Sequence, residues 1–222
     1  MTFAVLSACT YRGAIDNSAT WKVTWYSYIS ADDIRRSCVS GAPLHYRFIY
    51  NADYESHIRS YEVVADGAGG AYQISRAISG SGVDITALEL SDPFAIGGRW
   101  ERGEHRLSPV QLASLKASLR DSGVFGGAPV GLRLYSNQYF WVAALCDDGE
   151  FYFDAWLYPS KEFEAISFPE FLFTGDNLAL AAPPPQRVPS TGRLRGDRRS
   201  EKPNPIFELR VAEDGFQGAP IF

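Results

Sequence analysis

Tyr139–Leu145 is an unbroken apolar run, closed on one side by Ser136-Asn137-Gln138 and on the other by Asp147-Asp148-Gly149. Its length is that of a strand, and continuous apolarity in a strand means that both of its faces must be covered. A sheet with one open face is therefore excluded at this position, and a packing layer is needed on either side. Leu132–Tyr135 before it alternates in polarity, and Phe151–Leu157 follows the second turn as a further strand. Val130–Tyr158 accordingly predicts a three-stranded meander near the centre of the fold.

Upstream, Leu44–Tyr50, His57–Ala65 and Ala71–Ile78 predict three consecutive strands. Asn51-Ala52-Asp53 separates the first two, and Gly67-Ala68-Gly69-Gly70 joins the second to the third. That glycine-rich stretch leads into a strand pattern, with no helix whose N-terminus could hold a phosphate, so it reads as a hairpin connection. Trp21–Ile29 also alternates as a strand, and a short strand is expected over Val83–Leu90. Ser108 is a helix N-cap, with Pro109 at the first position, Gln111 completing a capping box and Leu107 stapled on Leu112. Leu112, Leu115 and Leu119 then share one face and Gly123 ends the helix, whose apolar stripe is a core face. A shorter helix is expected over Ala31–Cys38, with Ser30 as cap and Asp33 as the third residue of a capping box. The fold class that follows is α+β: a mainly antiparallel sheet, one clear covering helix at about 108–122, a short helix at about 31–38 and an extended C-terminal tail. The richness in Tyr and Phe against a single Met leans the same way, since aromatic side chains suit a pleated surface.

The chain divides into an N-terminal segment (1–20), a globular body (21–175) and a tail (176–222). Thr10–Thr20 is spacer-like, and Phe168, Phe171, Leu172 and Phe173 form a short aromatic segment near the end of the body. In the tail, Pro183-Pro184-Pro185 and Pro189 favour extended backbone, and six basic residues between Arg187 and Lys202 face only Asp197 and Glu201. Ile206, Leu209 and Val211 then restore alternation. Two readings stay open for this end: a docking tail using Pro183, Pro184, Pro185, Arg193, Arg195, Phe207 and Leu209, or a strand that folds back on the body's own sheet edge.

Chemistry-bearing candidates are sparse. His45, His57 and His105 are the only imidazoles, and no HExxH or close His pair occurs, so no metal or cofactor is expected. Asp147, Asp148, Glu150 and Asp154 gather around one hairpin without the spacing of a calcium loop. Trp100 with Arg99, Arg102 and Arg106 is a candidate aromatic and basic patch for an anionic ligand. A formal net charge of -5 makes no case for nucleic acid. No apolar run reaches the roughly 18 residues of a membrane-spanning helix.

Leu6-Ser7-Ala8-Cys9 resembles the lipobox of bacterial lipoproteins, an apolar residue and two small ones before a cysteine. The resemblance covers those four positions and implies cleavage before Cys9, lipidation of its sulfur and anchoring at the cell envelope, facing the periplasm or exterior. Met1–Ala8 holds no Lys or Arg, so this reading places the recorded start downstream of the true one. The other reading makes Thr2–Ala8 an apolar strand and Cys9 a buried thiol. If lipid takes Cys9, Cys38 and Cys146 remain as a pair that an oxidising periplasm would allow to bridge, the alternative being two separate buried thiols. The function expected on this basis is a noncatalytic envelope lipoprotein, an accessory subunit that docks another envelope or membrane protein through its tail or a sheet edge. Two alternatives stand beside it. One is a hydrolase of envelope polymers using loop carboxylates. The other is a peptidase inhibitor, since the capped helix Leu107-Ser108-Pro109 through Ser122-Gly123-Val124-Phe125 between strands is faintly similar to small bacterial metalloprotease inhibitors at generic capping and core positions.

Overall fold

A computed structural model describes residues 28–54, 56–79, 100–188, 206 and 208–217. Its centre is an antiparallel sheet of six strands: β1 (His45–Ala52), β2 (His57–Ala65), β3 (Ala71–Ser79), β4 (Glu101–Leu107), β6 (Tyr139–Asp147) and β7 (Glu150–Leu157). In space they run β4-β3-β2-β1-β6-β7, and every neighbouring pair is antiparallel. The α+β class expected from sequence is thus the class observed. The three upstream strands fall where alternation placed them. β4 was not anticipated, because Glu101–Leu107 carries charges at most positions; its outward face is Arg102, Glu104 and Arg106, all exposed, as suits a terminal strand. Of the strand expected over Trp21–Ile29, residues 21–27 lie outside the described residues, as does the strand expected over Val83–Leu90.

β6 is buried at every position from Tyr139 to Cys146, as its continuous apolarity requires. On one face Tyr46, Phe48, Tyr50, Tyr61, Val63, Trp141, Leu145 and Trp156 pack under the helices α2 (Pro109–Asp121), α3 (Lys161–Ala165) and α4 (Phe168–Thr174). Trp141 is the hub of this layer, stacked on Tyr50 at 4.9 Å and set edge-on to Phe168 at 5.5 Å. Ser108 and Gln111 form the expected capping box, and Leu112, Leu115 and Leu119 are the buried residues of α2. The aromatic segment after Phe163 is helical, with Phe168 and Leu172 buried.

The opposite face of β1, β6 and β7 packs Ile49, Val142, Ala144 and Phe153 against Ile34 of helix α1 (Asp32–Ser37) and against a small second sheet. That sheet is made of β5 (Arg133–Tyr135), β8 (Glu208–Ala212) and β9 (Gly215–Phe216), with Leu134 paired to Leu209. The expected meander is therefore corrected: only β6 and β7 stay together. Asn51 explains why. Its side-chain amide donates to the carbonyls of Ser136 at 3.0 Å and Gln138 at 2.5 Å, and Tyr54 N–H bonds Ser136 O at 2.7 Å. The turn is thereby tied to the end of β1 and β5 leaves the large sheet.

Helix α1 also departs from expectation in its details. Ser30 is not its cap; the N-cap is Ala31 with φ 53°, and Ser30 Oγ instead accepts from Phe216 N–H at 3.5 Å. Tyr28 and Ile29 form a helical turn, not the end of a strand, with Ala31 N–H bonded to Tyr28 O at 3.1 Å. The end of α1 is fastened covalently, Cys38 being disulfide-bonded to Cys146 on β6 across a sequence separation of 108. Closing a loop of that size stabilises by roughly 4–5 kcal/mol in the chain-entropy model. A Cys38→Ala/Cys146→Ala variant is expected to fall by about 3–5 kcal/mol in urea unfolding, losing near-ultraviolet circular dichroism before the far-ultraviolet signal of the sheet. An unchanged midpoint would show that the bridge is thermodynamically idle.

Candidate functional site

Two clusters of buried ionisable residues are built on the large sheet, one on each face. On the α1 face, Arg47 of β1 is the centre. Its Nε donates to Glu62 Oε1 at 2.7 Å, its two Nη atoms donate to the two carboxylate oxygens of Asp33 at 2.7 Å each, and its guanidinium lies 3.9 Å above the Tyr28 ring. Tyr28 donates its hydroxyl to Glu62 at 3.0 Å, and His45 pairs with the other oxygen of Glu62. Burial pushes the Glu62 carboxyl up, but hydrogen bonds and charge from His45 and Arg47 outweigh it and hold it below the usual carboxylate range. Asp33, which could have capped α1, is held low by Arg47 in the same way. This constellation joins α1 to β1 and β2, and its lone pairs are spent on that.

On the helical face, the chain leaving α4 crosses the sheet as a strap. Gly103 on β4 leaves room for Asn177, whose Oδ1 a methyl group there would overlap. Leu180 N–H donates to Glu101 at 2.8 Å, and Tyr50 donates its hydroxyl to Pro183 O at 2.9 Å. Under the strap Arg59 of β2 donates to Asp176 and to the Leu180 carbonyl, and Tyr61 donates to Asp176 at 2.7 Å. The side chains of Arg59 and Asp176 are each 3% exposed. His57 lies beside Arg59, and burial together with that charge pushes its imidazole down to about 4, so it is neutral at physiological pH. Burial likewise raises the Tyr61 phenol. A cleft of about 330 Å³ opens here, lined by Arg59, Phe173, Asp176, Leu178, Leu180, Ala181 and Ala182. Its charges form a neutral pair, and both oxygens of Asp176 are engaged, the second by Leu178 N–H at 3.0 Å. The arrangement suits holding a neutral group better than moving a proton.

The residues singled out from sequence are distributed as follows. Cys38 and Cys146 are bonded. Cys9, Arg193, Arg195 and Phe207 lie outside the described residues. Pro183, Pro184 and Pro185 belong to the strap, outside any helix or strand, with Pro184 exposed and its neighbours half-buried. Leu209 is a correction: it is 2% exposed, packed in the core with Val211 and Phe216, and so cannot present its side chain to a partner. The second of the two readings of this end thus applies to 208–217, although the strand pairs with β5 and not with an edge of the large sheet. Asp176, the first residue of the tail as bounded from sequence, has its side chain 3% exposed and paired with Arg59.

The carboxylates around the β6–β7 hairpin do not converge. Asp147 pairs with Lys116 at 2.6 Å, Asp148 occupies the turn at φ 51°, and Glu150 accepts from Tyr152 at 2.5 Å. Of the candidate anion patch, Arg99 lies outside the described residues, Trp100 packs on the α1-face core, and Arg102 and Arg106 pair with Glu104 and Asp66. Among the described residues no cluster of His, Cys, Asp or Glu has the makings of a metal site. The strap cluster was missed because it joins Arg59 to residues some 120 positions away. Comparison with family models, with curated proteins and with solved structures gave no match for this chain.

Among the described residues Asp154 is a buried carboxyl with no cation paired to it. It is 6% exposed on β7, its Oδ1 accepts from Ala155 N–H at 2.7 Å, and burial pushes it up to about 7. Because its folded value lies above the unfolded one, its proton-linked stability is complete below about pH 4 and is lost as pH rises to about 7. Glu62 and Asp33 have the opposite sign: held low, they contribute above their unfolded values and lose that contribution on acidification. Asp154→Asn is expected to stabilise by about 2–4 kcal/mol at pH 8 and by little at pH 4, measured by urea unfolding across pH. Equal effects at both pH values would sink this assignment.

Proposed function

We propose that this protein is a noncatalytic lipoprotein of the bacterial cell envelope, a folded binding module that serves as an accessory subunit to another envelope or membrane protein. The disulfide between Cys38 and Cys146 is the observation that carries the reading, because such bridges form and persist in oxidising compartments. The lipobox-like Leu6-Ser7-Ala8-Cys9 supplies the tether: thioether-linked lipid on Cys9 would hold the body at the bilayer. No helix among the described residues is long and apolar enough to cross a membrane.

The binding role is supported by how the ionisable groups are used. Arg47, Glu62 and Asp33 are committed to one another, as are Arg59 and Asp176, and the hairpin carboxylates lie apart. The partner would be engaged through the terminal strands β4 or β7 by main-chain hydrogen bonding, or through the proline-rich and basic stretch that includes Pro184, Arg193 and Arg195. That stretch connects two segments anchored on the body, since Val188 packs with the helical-face core and β8 with the α1-face core. Removing everything from Ala182 onward would take Leu209, Val211 and Phe216 out of the core, so the role of the stretch is better tested by substituting its arginines.

Mass spectrometry of the protein taken from its native membrane is expected to find Cys9 as the first residue, carrying lipid. Solubilisation in mild detergent should bring a stoichiometric protein partner. An unmodified N-terminus upstream of Cys9 would remove the lipoprotein reading, and a lone monomer would remove the accessory-subunit reading.

A further inference from the structure

We propose that β4 is a self-association edge: two copies of this chain join β4 to β4, antiparallel about a two-fold axis through Gly103, so that their large sheets run on as one. This goes beyond the accessory-subunit reading and does not rest on it. The backbone phase carries the first step. Asp66 N–H bonds Gly70 O at 3.0 Å, which makes Val64–Tyr72, Glu62–Ile74 and Ser60–Arg76 the hydrogen-bonded pairs between β2 and β3. Gln73, Ser75 and Ala77 therefore turn their peptide groups to β4, onto His105, Gly103 and Glu101. The peptide groups of Arg102, Glu104 and Arg106 are left pointing away from the sheet, and among the described residues no strand pairs with them. Glu104 O accepts from the Asn177 carboxamide at 3.4 Å and has a second lone pair for a strand beside it. β7, the other terminal strand, is closed in its middle. There Tyr158 N–H bonds Tyr139 O, so Ala155 N–H points outward, and Asp154 Oδ1 already accepts from it at 2.7 Å.

Charge selects the occupant and the register. Charged side chains commonly guard a terminal strand against pairing, but along the open face of β4 they alternate in sign, as Arg102, Glu104 and Arg106. An axis through Gly103 sets Arg102 opposite Glu104 of the second copy and Glu104 opposite its Arg102, with their outward peptide groups aligned to exchange hydrogen bonds. On the other face it sets Glu101 opposite His105, again twice over. An axis through Glu104 instead opposes Glu104 to itself and Arg102 to Arg106, and one through Arg102 opposes Arg102 to itself; like charges directly opposite are destabilising. An axis through His105 keeps a Glu104–Arg106 pair but carries Arg102 past the end of the neighbouring strand. The side chains of Arg102 and Glu104 are 53% and 45% exposed and paired with each other at 2.8 Å, so the same ion pair re-forms between copies without stranding a charge. Above the axis Asn177 lies over Gly103, so two carboxamides meet there, each able to donate and to accept.

The test is sedimentation velocity of the full chain over a concentration series, with charge variants on the open face. The unsubstituted chain is expected to dimerise reversibly. Arg102→Glu places like charges opposite one another at both pairs and should weaken the dimer roughly tenfold, as should Glu104→Arg. The double variant Arg102→Glu/Glu104→Arg restores opposite signs across the axis and should recover the dimer to within about threefold. Both positions are exposed, so far-ultraviolet circular dichroism is expected to be the same in all four proteins. A monomer at every concentration, a dimer indifferent to Arg102→Glu, or a folded double variant that stays monomeric would each overturn the proposal.

Discussion

The architecture depends on one constraint, that β6 is apolar on both faces and β1 beside it is buried on both. A strand pair of that kind at the middle of a sheet must be covered from both sides, and this chain meets the demand with unequal materials. On one face it uses α2 and α4 and the aromatic layer around Trp141. On the other it has one turn-and-a-half of helix, α1, and a three-stranded sheet whose strands are at most five residues long. Covers so small bury little area by themselves and need additional fastening.

The polar chemistry of the α1 face supplies that fastening. Arg47 holds Asp33 of the helix and Glu62 of the neighbouring strand at once, the Cys38–Cys146 bridge ties the helix end to β6, and Ser30 and Arg35 hold the β8–β9 turn. A buried ion pair of this sort contributes less to stability than to uniqueness, since breaking it strands a charge in the core while replacing it whole can be neutral. Here its consequence is placement: α1 can sit only where Asp33 meets Arg47. The same logic on the helical face lets Arg59 set the path of the strap from Asp176 to Leu180, and the cleft beside Phe173 is the space which that path leaves open.

Local pattern in the sequence was a good guide where the deciding forces are local. Alternation marked β1, β2 and β3, continuous apolarity marked β6, the turn at Asp147-Asp148-Gly149 marked the start of β7, and the Ser108 to Gln111 capping box with Gly123 bounded α2 almost to the residue. It was a poor guide where a distant partner outbids a local one. Asp33 looked like a capping-box residue and is instead Arg47's partner; Ser30 looked like a cap and is instead bonded to Phe216; Leu209 looked like part of a sticky tail and is instead core. β4 hid itself because a terminal strand with charges on its open face has no hydrophobic signature.

The amino-acid sequence by itself determined the class of the fold, the position of its best helix, the need for cover on both sheet faces and the availability of a cysteine pair, because these follow from periodicity, capping and composition over a few residues. Only the tertiary structure decided that Cys38 and Cys146 meet, that β5 abandons the meander for β8, that residues 176–188 form a strap and that Arg59, Asp176 and Phe173 share a cleft. Those outcomes turn on contacts between residues as much as 133 positions apart, where burial and charge pairing, and not local propensity, set the energy.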